Sequence, residues 1–193
     1  MNWQDKVKEI YNSLEDYAYA VIYGGSYTLP WIKEAHDIDV GIIFEDAEKQ
    51  QKGIQIFNSL YNRQDLKKDY QLCIHFPLKD NIYGTLFQYE YNFNETLCGE
   101  KIEKINIFLD DKIKDKVKKA LKYRIIIDPY PIYSKNWYHV YTNLCFIEHN
   151  AIELTEEEIN KINILHDNRK YTESERLPII EECREKYQIL IGE

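Results

Sequence analysis

Two short apolar runs, the first closed by a pair of glycines, constrain this chain more than anything else in it. Ala18–Tyr23 (AYAVIY) is a short apolar run that suits a buried strand, and Asp37–Phe44 (DIDVGIIF), rich in β-branched residues, reads as a second strand. Gly24-Gly25 closes the first run with a tight turn. Strands of this kind need helices to cover them, and the flanking periodicity supplies them. Trp3, Val7, Ile10, Leu14 and Tyr17 recur at helical spacing ahead of the first strand. Lys49–Tyr61 carries Ile54, Phe57, Leu60 and Tyr61 on one face and reads as a helix crossing over the sheet.

Asp69–Phe76 (DYQLCIHF) alternates strictly, with Tyr70, Leu72, Ile74 and Phe76 on one side, and predicts a third strand stopped by Pro77. Phe87, Tyr89, Tyr91 and Phe93 alternate with polar residues and favour a further strand. From about Asp110 the pattern turns helical: Ile113, Val117 and Leu121 share a face, and Asp128-Pro129 with Pro131 ends that segment. A helix is expected from Ser134, its N-cap, to about Asn150. Thr155 and Glu158 form a capping box ahead of Ile159, Ile162 and Leu165, and a last helix buries Leu177, Ile180, Cys183, Tyr187 and Leu190. The expected fold is α/β (α+β): a small mixed sheet within residues 1–109, followed by a helical lobe over 110–193.

The 193 residues suit one domain or a compact pair of lobes. Met1–Ile10 is charged and does not read as a signal peptide, and no stretch approaches the roughly 18–20 apolar residues of a membrane helix. The four scattered cysteines read as reduced thiols of a cytoplasmic protein rather than a zinc site or disulfide frame. A formal net charge of −8 weighs against general DNA or RNA binding. The basic stretch Lys112–Arg124 (KIKDKVKKALKYR), partly neutralised by Asp115, reads as a solvated helix face.

The chemistry concentrates in Val21–Asp46. Side chains alternate along a strand, so Asp37 and Asp39 project on one side, about 6–7 Å apart. Paired carboxylates suit a hard cation, chiefly Mg²⁺, with Mn²⁺ as the close alternative. Gly24 and Gly25 let the backbone turn sharply and offer N–H groups to a phosphate, and Ser26 adds a hydroxyl. An anion cradle beside a cation seat is what a metal-bound nucleoside triphosphate requires.

The order of these pieces, an apolar strand, Gly-Ser, ten intervening residues and Asp-x-Asp opening a second apolar strand, resembles the DNA polymerase β-like nucleotidyltransferase superfamily, in particular its small stand-alone bacterial and phage members. The resemblance is specific over Val21–Phe44 and extends loosely to Phe76. His36 stands where members commonly carry Ser, and Tyr27-Thr28-Leu29 where small members often have Arg-Gly, which weighs against the aminoglycoside and antitoxin-type adenylyltransferases.

The resemblance implies transfer of a nucleoside monophosphate from a triphosphate to an acceptor hydroxyl with two metal ions. Asp37 and Asp39 would bridge the ions, and Gly24, Gly25 and Ser26 would grip the triphosphate. Asp69 has the strand parity for the third carboxylate; Gln71 or His75 in that place would mean a missing acid. The helical half is similar to the lobe that many members place across the nucleotide cleft. There Lys135 would either touch the triphosphate or be a solvated lysine, and His139 would either face the site or be a core histidine. The acceptor (an RNA end, a protein hydroxyl or a small molecule) is left open. The competing reading is a catalytically retired module of the same fold that binds a nucleotide or a protein partner.

Overall fold

A computed structural model describes residues 2–81, 87–102 and 110–192. The chain forms two compact units. The first comprises Met1–Leu29, Ala35–Tyr83 and Glu90–Ile105; the second comprises Pro30–Glu34, Gly84–Tyr89 and Asn106–Glu193. The boundary expected between 109 and 110 falls at the edge of 103–109, outside the described residues.

The first unit is built on a mixed four-stranded sheet in the order β3-β2-β1-β4. β1 (Ala18–Gly24) and β2 (Ile38–Phe44) run antiparallel, with Gly24 opposite Asp39. β3 (Leu72–His75) lies parallel to β2, Asp39 pairing with Cys73 and Gly41 with His75. β4 (Glu95–Gly99) runs antiparallel to β1. Helices α1 (Trp3–Asn12), α2 (Ala47–Leu60) and α3 (Arg63–Tyr70) precede and link these strands.

Burial of one sheet face explains the order. Val7, Ile10 and Leu14, with Phe57 and Leu66, pack into one cluster with Val21, Ile38, Val40, Ile42, Phe44, Leu72 and Ile74 from the strands. Ala20, Ile22 and Ile43 form a smaller cluster on the opposite parity. Asp46 caps α2 by accepting a hydrogen bond from the Lys49 N–H at 2.8 Å.

Three local expectations are corrected here. The third strand begins at Leu72, not Asp69, because α3 runs to Tyr70 and Gln71 ends it in the left-handed conformation at φ 59°. The alternation from Phe87 to Phe93 does not form a strand; Gln88–Asn92 is a 3-10 turn, and the edge strand follows at Glu95. Ser134 is not the N-cap of the next long helix. That place falls to Asn136, whose N–H donates to the Ser134 hydroxyl at 3.3 Å.

The second unit is helical, as the sequence leads one to expect. α4 (Asp111–Lys122) continues into a π-helical turn, Tyr123–Ile127. α5 (Trp137–His149) is buried continuously from Trp137 to Phe146, which makes it the central element, flanked by α6 (Glu156–His166) and α7 (Glu173–Ile191). The capping box of Thr155 and Glu158 opens α6, and a second, Thr172 with Glu175, opens α7. Pro30–Glu34 joins this unit through Asn163, which donates to the Trp31 carbonyl at 2.8 Å and accepts from the Lys33 N–H at 3.0 Å. No helix among the described residues is long and apolar enough to cross a membrane.

Candidate functional site

β2 begins one residue after Asp37, and strand parity then turns Asp37 and Asp39 away from the helix-covered cluster that Ile38 and Val40 enter. Asp39 sits opposite Gly24, at the point where β1 gives way to the 3-10 turn Gly25–Tyr27. Gly25 has φ 63°, and a Cβ there would lie 2.8 Å from the Asp39 carboxyl carbon. Only glycine therefore lets the turn approach the carboxylate this closely. A Cβ at Gly24 would collide instead with the side-chain amide of Asn94. A turn this short cannot satisfy its own leading N–H groups. Ser26 is present but buried, with 6% of its surface exposed.

Parallel pairing brings β3 alongside. The Cys73 thiol donates to Asp37 Oδ2 at 3.3 Å, and His75 Nε2 lies 3.0 Å from Asp39 Oδ1. Burial, followed by the Asp37 hydrogen bond, pushes the Cys73 thiol up to about 11, so it remains a protonated donor at neutral pH. His75 and Asp39 are both largely exposed, at 61% and 41% of their side-chain surface, so their contact is screened by water. Cys73 and His75 carry the polar face of β3, on which an acid was expected. Their part was visible only as parity; the pairing register decides that they meet Asp37 and Asp39.

Asp69 requires correction. It lies on α3 and is exposed, so the strand parity that recommended it as a third ligand does not apply. The position preceding the Ile38–Leu72 pair is Gln71, whose carbonyl accepts the Ile38 N–H at 2.9 Å. Among the described residues no group of three or more His, Cys, Asp or Glu side chains is arranged to hold a metal ion. Two carboxylates nevertheless fit one Mg²⁺, which keeps several waters and commonly takes only one or two carboxylates beside phosphate oxygens.

Lys135 and His139 belong to the second unit. Lys135 is exposed in the turn before α5. His139 is buried and shares a 2.9 Å hydrogen bond between its Nδ1 and the Tyr89 hydroxyl. Burial, then the positive charges of Lys135 and His166, hold its pKa well below the usual histidine range. It is a neutral core imidazole.

A cavity of about 400 Å³ lies away from the carboxylates, at the other end of the β1–β2 pair, where Glu15, Asp16, Glu45 and Glu100 outnumber Lys49. Such a wall repels phosphate. No family model, no curated protein and no solved structure matches the chain.

Proposed function

We propose that the chain is a metal-dependent nucleotidyltransferase of the DNA polymerase β-like kind, acting on a nucleoside triphosphate and an acceptor hydroxyl. The observation that carries this reading is the seating of Asp39 against Gly25, with Asp37 on the same side of β2. It is supported by a mixed sheet in which the Asp-x-Asp strand lies between the Gly-Gly strand and a parallel neighbour.

In this reading Asp37 and Asp39 would hold the cation, and a bound cation would supply charge neutralisation for the triphosphate and its leaving group. The Gly25–Tyr27 turn receives phosphate oxygens on backbone N–H groups. The Cys73 and His75 contacts keep the two carboxylates in place before the ligand arrives, which preorganises the charge the reaction needs.

The second reading, a binding module that has lost transfer, draws on one observation: β3 presents a thiol and an imidazole where a carboxylate would complete an acceptor-activating site. One experiment separates the two. The protein is incubated with each α-labelled nucleoside triphosphate, Mg²⁺ or Mn²⁺ and a cell lysate, beside an Asp37→Asn/Asp39→Asn variant. The enzyme reading expects label on an acceptor and its loss in the variant. Metal-dependent triphosphate binding without transfer under any condition leaves the binding module. Equal, metal-independent affinity in both proteins removes both readings.

A further inference from the structure

The surface of α4 and its π-helical turn, which lies wholly in the second unit, has a composition that solvation alone does not explain. Residues 110–124 hold six lysines and one arginine against three aspartates, in a chain whose net charge is −8. Ile113, Val117 and Leu121 are buried, so the opposite side of the helix faces out. On that side Lys112, Lys116, Lys119 and Tyr123 fall in one row, spaced four, three and four residues apart and all exposed. The row is roughly 16 Å long at 1.5 Å per residue. Lys114 pairs with Asp111 at 3.7 Å and Arg124 with Asp128 at 2.6 Å, whereas Lys112, Lys116 and Lys119 form no ion pair among the described residues. Asp115 stands beside the row and reduces its charge without breaking it.

Tyr123 closes the row, and in the segment that follows further large side chains stand in water. Tyr123 is 45% exposed, Ile126 54%, Ile127 63% and Tyr133 70%. The Arg124 guanidinium lies 5.0 Å from the centre of the Tyr123 ring and 4.6 Å from that of Tyr130. A solvated helix face accounts for lysines; it does not account for an arginine stacked against two tyrosines and followed by exposed isoleucines. π-Helical turns of this kind are themselves frequent at functional sites.

We propose that this surface binds single-stranded RNA, the lysine row following the phosphates and Tyr123 and Tyr133, with Arg124, taking unstacked bases. Cations in a line with aromatic planes at one end are the two parts of a single-strand binding surface. Single-stranded segments are the form in which RNA ordinarily offers its bases for stacking. An anionic bilayer fits less well, because the apolar stripe of α4 is buried and the helix has no apolar face to insert. A second copy of the chain fits less well too, since a two-fold contact through this patch would set the lysine rows against each other.

The test is fluorescence anisotropy of the full chain with a short labelled oligouridine RNA over a range of KCl concentrations. A same-length oligothymidine, phosphatidylserine vesicles and an RNA-free sedimentation run complete the set. Saturable RNA binding is expected, with a log–log salt slope of about −2, from about 0.7 for each of three neutralised phosphates. K112Q/K116Q/K119Q should weaken binding by roughly tenfold or more and flatten that slope. Y123A/Y133A should weaken it by about tenfold with the slope unchanged, the signature of stacking rather than charge. Circular dichroism and thermal melting confirm that both variants fold, and a single K116Q, with a proportionally smaller effect, replaces the triple variant if it does not. Absence of saturable RNA binding, wild-type affinity in the lysine variant, or tighter binding to vesicles or to the DNA strand overturns the proposal. So does self-association that Y123A/Y133A abolishes.

Discussion

At Gly25 the backbone is left-handed and the space a methyl group would fill is occupied by the Asp39 carboxyl. Two costs follow from any side chain there: the φ penalty of a non-glycine residue, about 1 kcal/mol, and displacement of Asp39 from His75. Gly25→Ala should therefore lower stability by about 1–2 kcal/mol in urea denaturation. It should also weaken metal–triphosphate binding in calorimetric titrations by more than that loss explains. If triphosphate affinity stays at the wild-type value, the turn is not part of a nucleotide site. Gly24 does not share this logic, since its φ of 174° is extended and a Cβ there first meets the Asn94 side chain rather than Asp39.

Among the elements, α7 carries the most consequential side chain of the second unit. Arg176 is 1% exposed and donates to four backbone carbonyls: Ile132 at 3.0 Å, Ser134 at 2.6 Å, Ile164 at 3.4 Å and Leu165 at 2.9 Å. Ile164 and Leu165 lie in the last turn of α6, where unpaired carbonyls and the helix dipole favour a cation. One guanidinium thus ties α6, α7 and the turn before α5 together, which a point-like ammonium cannot do. Arg176→Lys should cost about 3 kcal/mol and Arg176→Met about 3–5 kcal/mol, because buried carbonyls lose their donors. Chemical denaturation measures both. A loss below about 1 kcal/mol for Arg176→Met would mean that water readily replaces the guanidinium. The capping box of α6 was legible in sequence because it closes within four residues, whereas the equally local box of α7, Thr172 with Glu175, emerged only with the structure. α3 was not, since its polar sequence buries only Leu66.

At the scale of the whole molecule, His139 adds a pH dependence to stability between neutral pH and pH 5. Its folded pKa lies well below 6.5, through burial first and then the nearby positive charges. The unfolded chain therefore binds the extra proton as pH falls through 6.5, while the folded chain resists it. This stabilisation is complete above the unfolded pKa and is lost progressively below it, by at most about 1.4 kcal/mol per pH unit for this group. Denaturation midpoints between neutral pH and pH 5 should fall steeply in wild type and less steeply in His139→Gln. Equal slopes would show that the imidazole titrates alike in both states.

What the sequence determined by itself is whatever a short window encodes. The period of two put Asp37 and Asp39 on one side of a strand, the apolar runs specified β1 and β2, and the helical spacing of Ile113, Val117 and Leu121 specified α4. The tertiary structure alone decided what depends on pairing across distance. It placed Cys73 and His75, each 36 residues away, against Asp37 and Asp39, and moved Asp69 off the strand onto α3. It set Tyr89 against His139, 50 residues apart, and delivered Arg176 to carbonyls as many as 44 residues away. The physical reason is the same in each case. Alternation and helical period are properties of the local backbone, whereas register, burial and the partner of a buried polar group exist only once separate segments have packed.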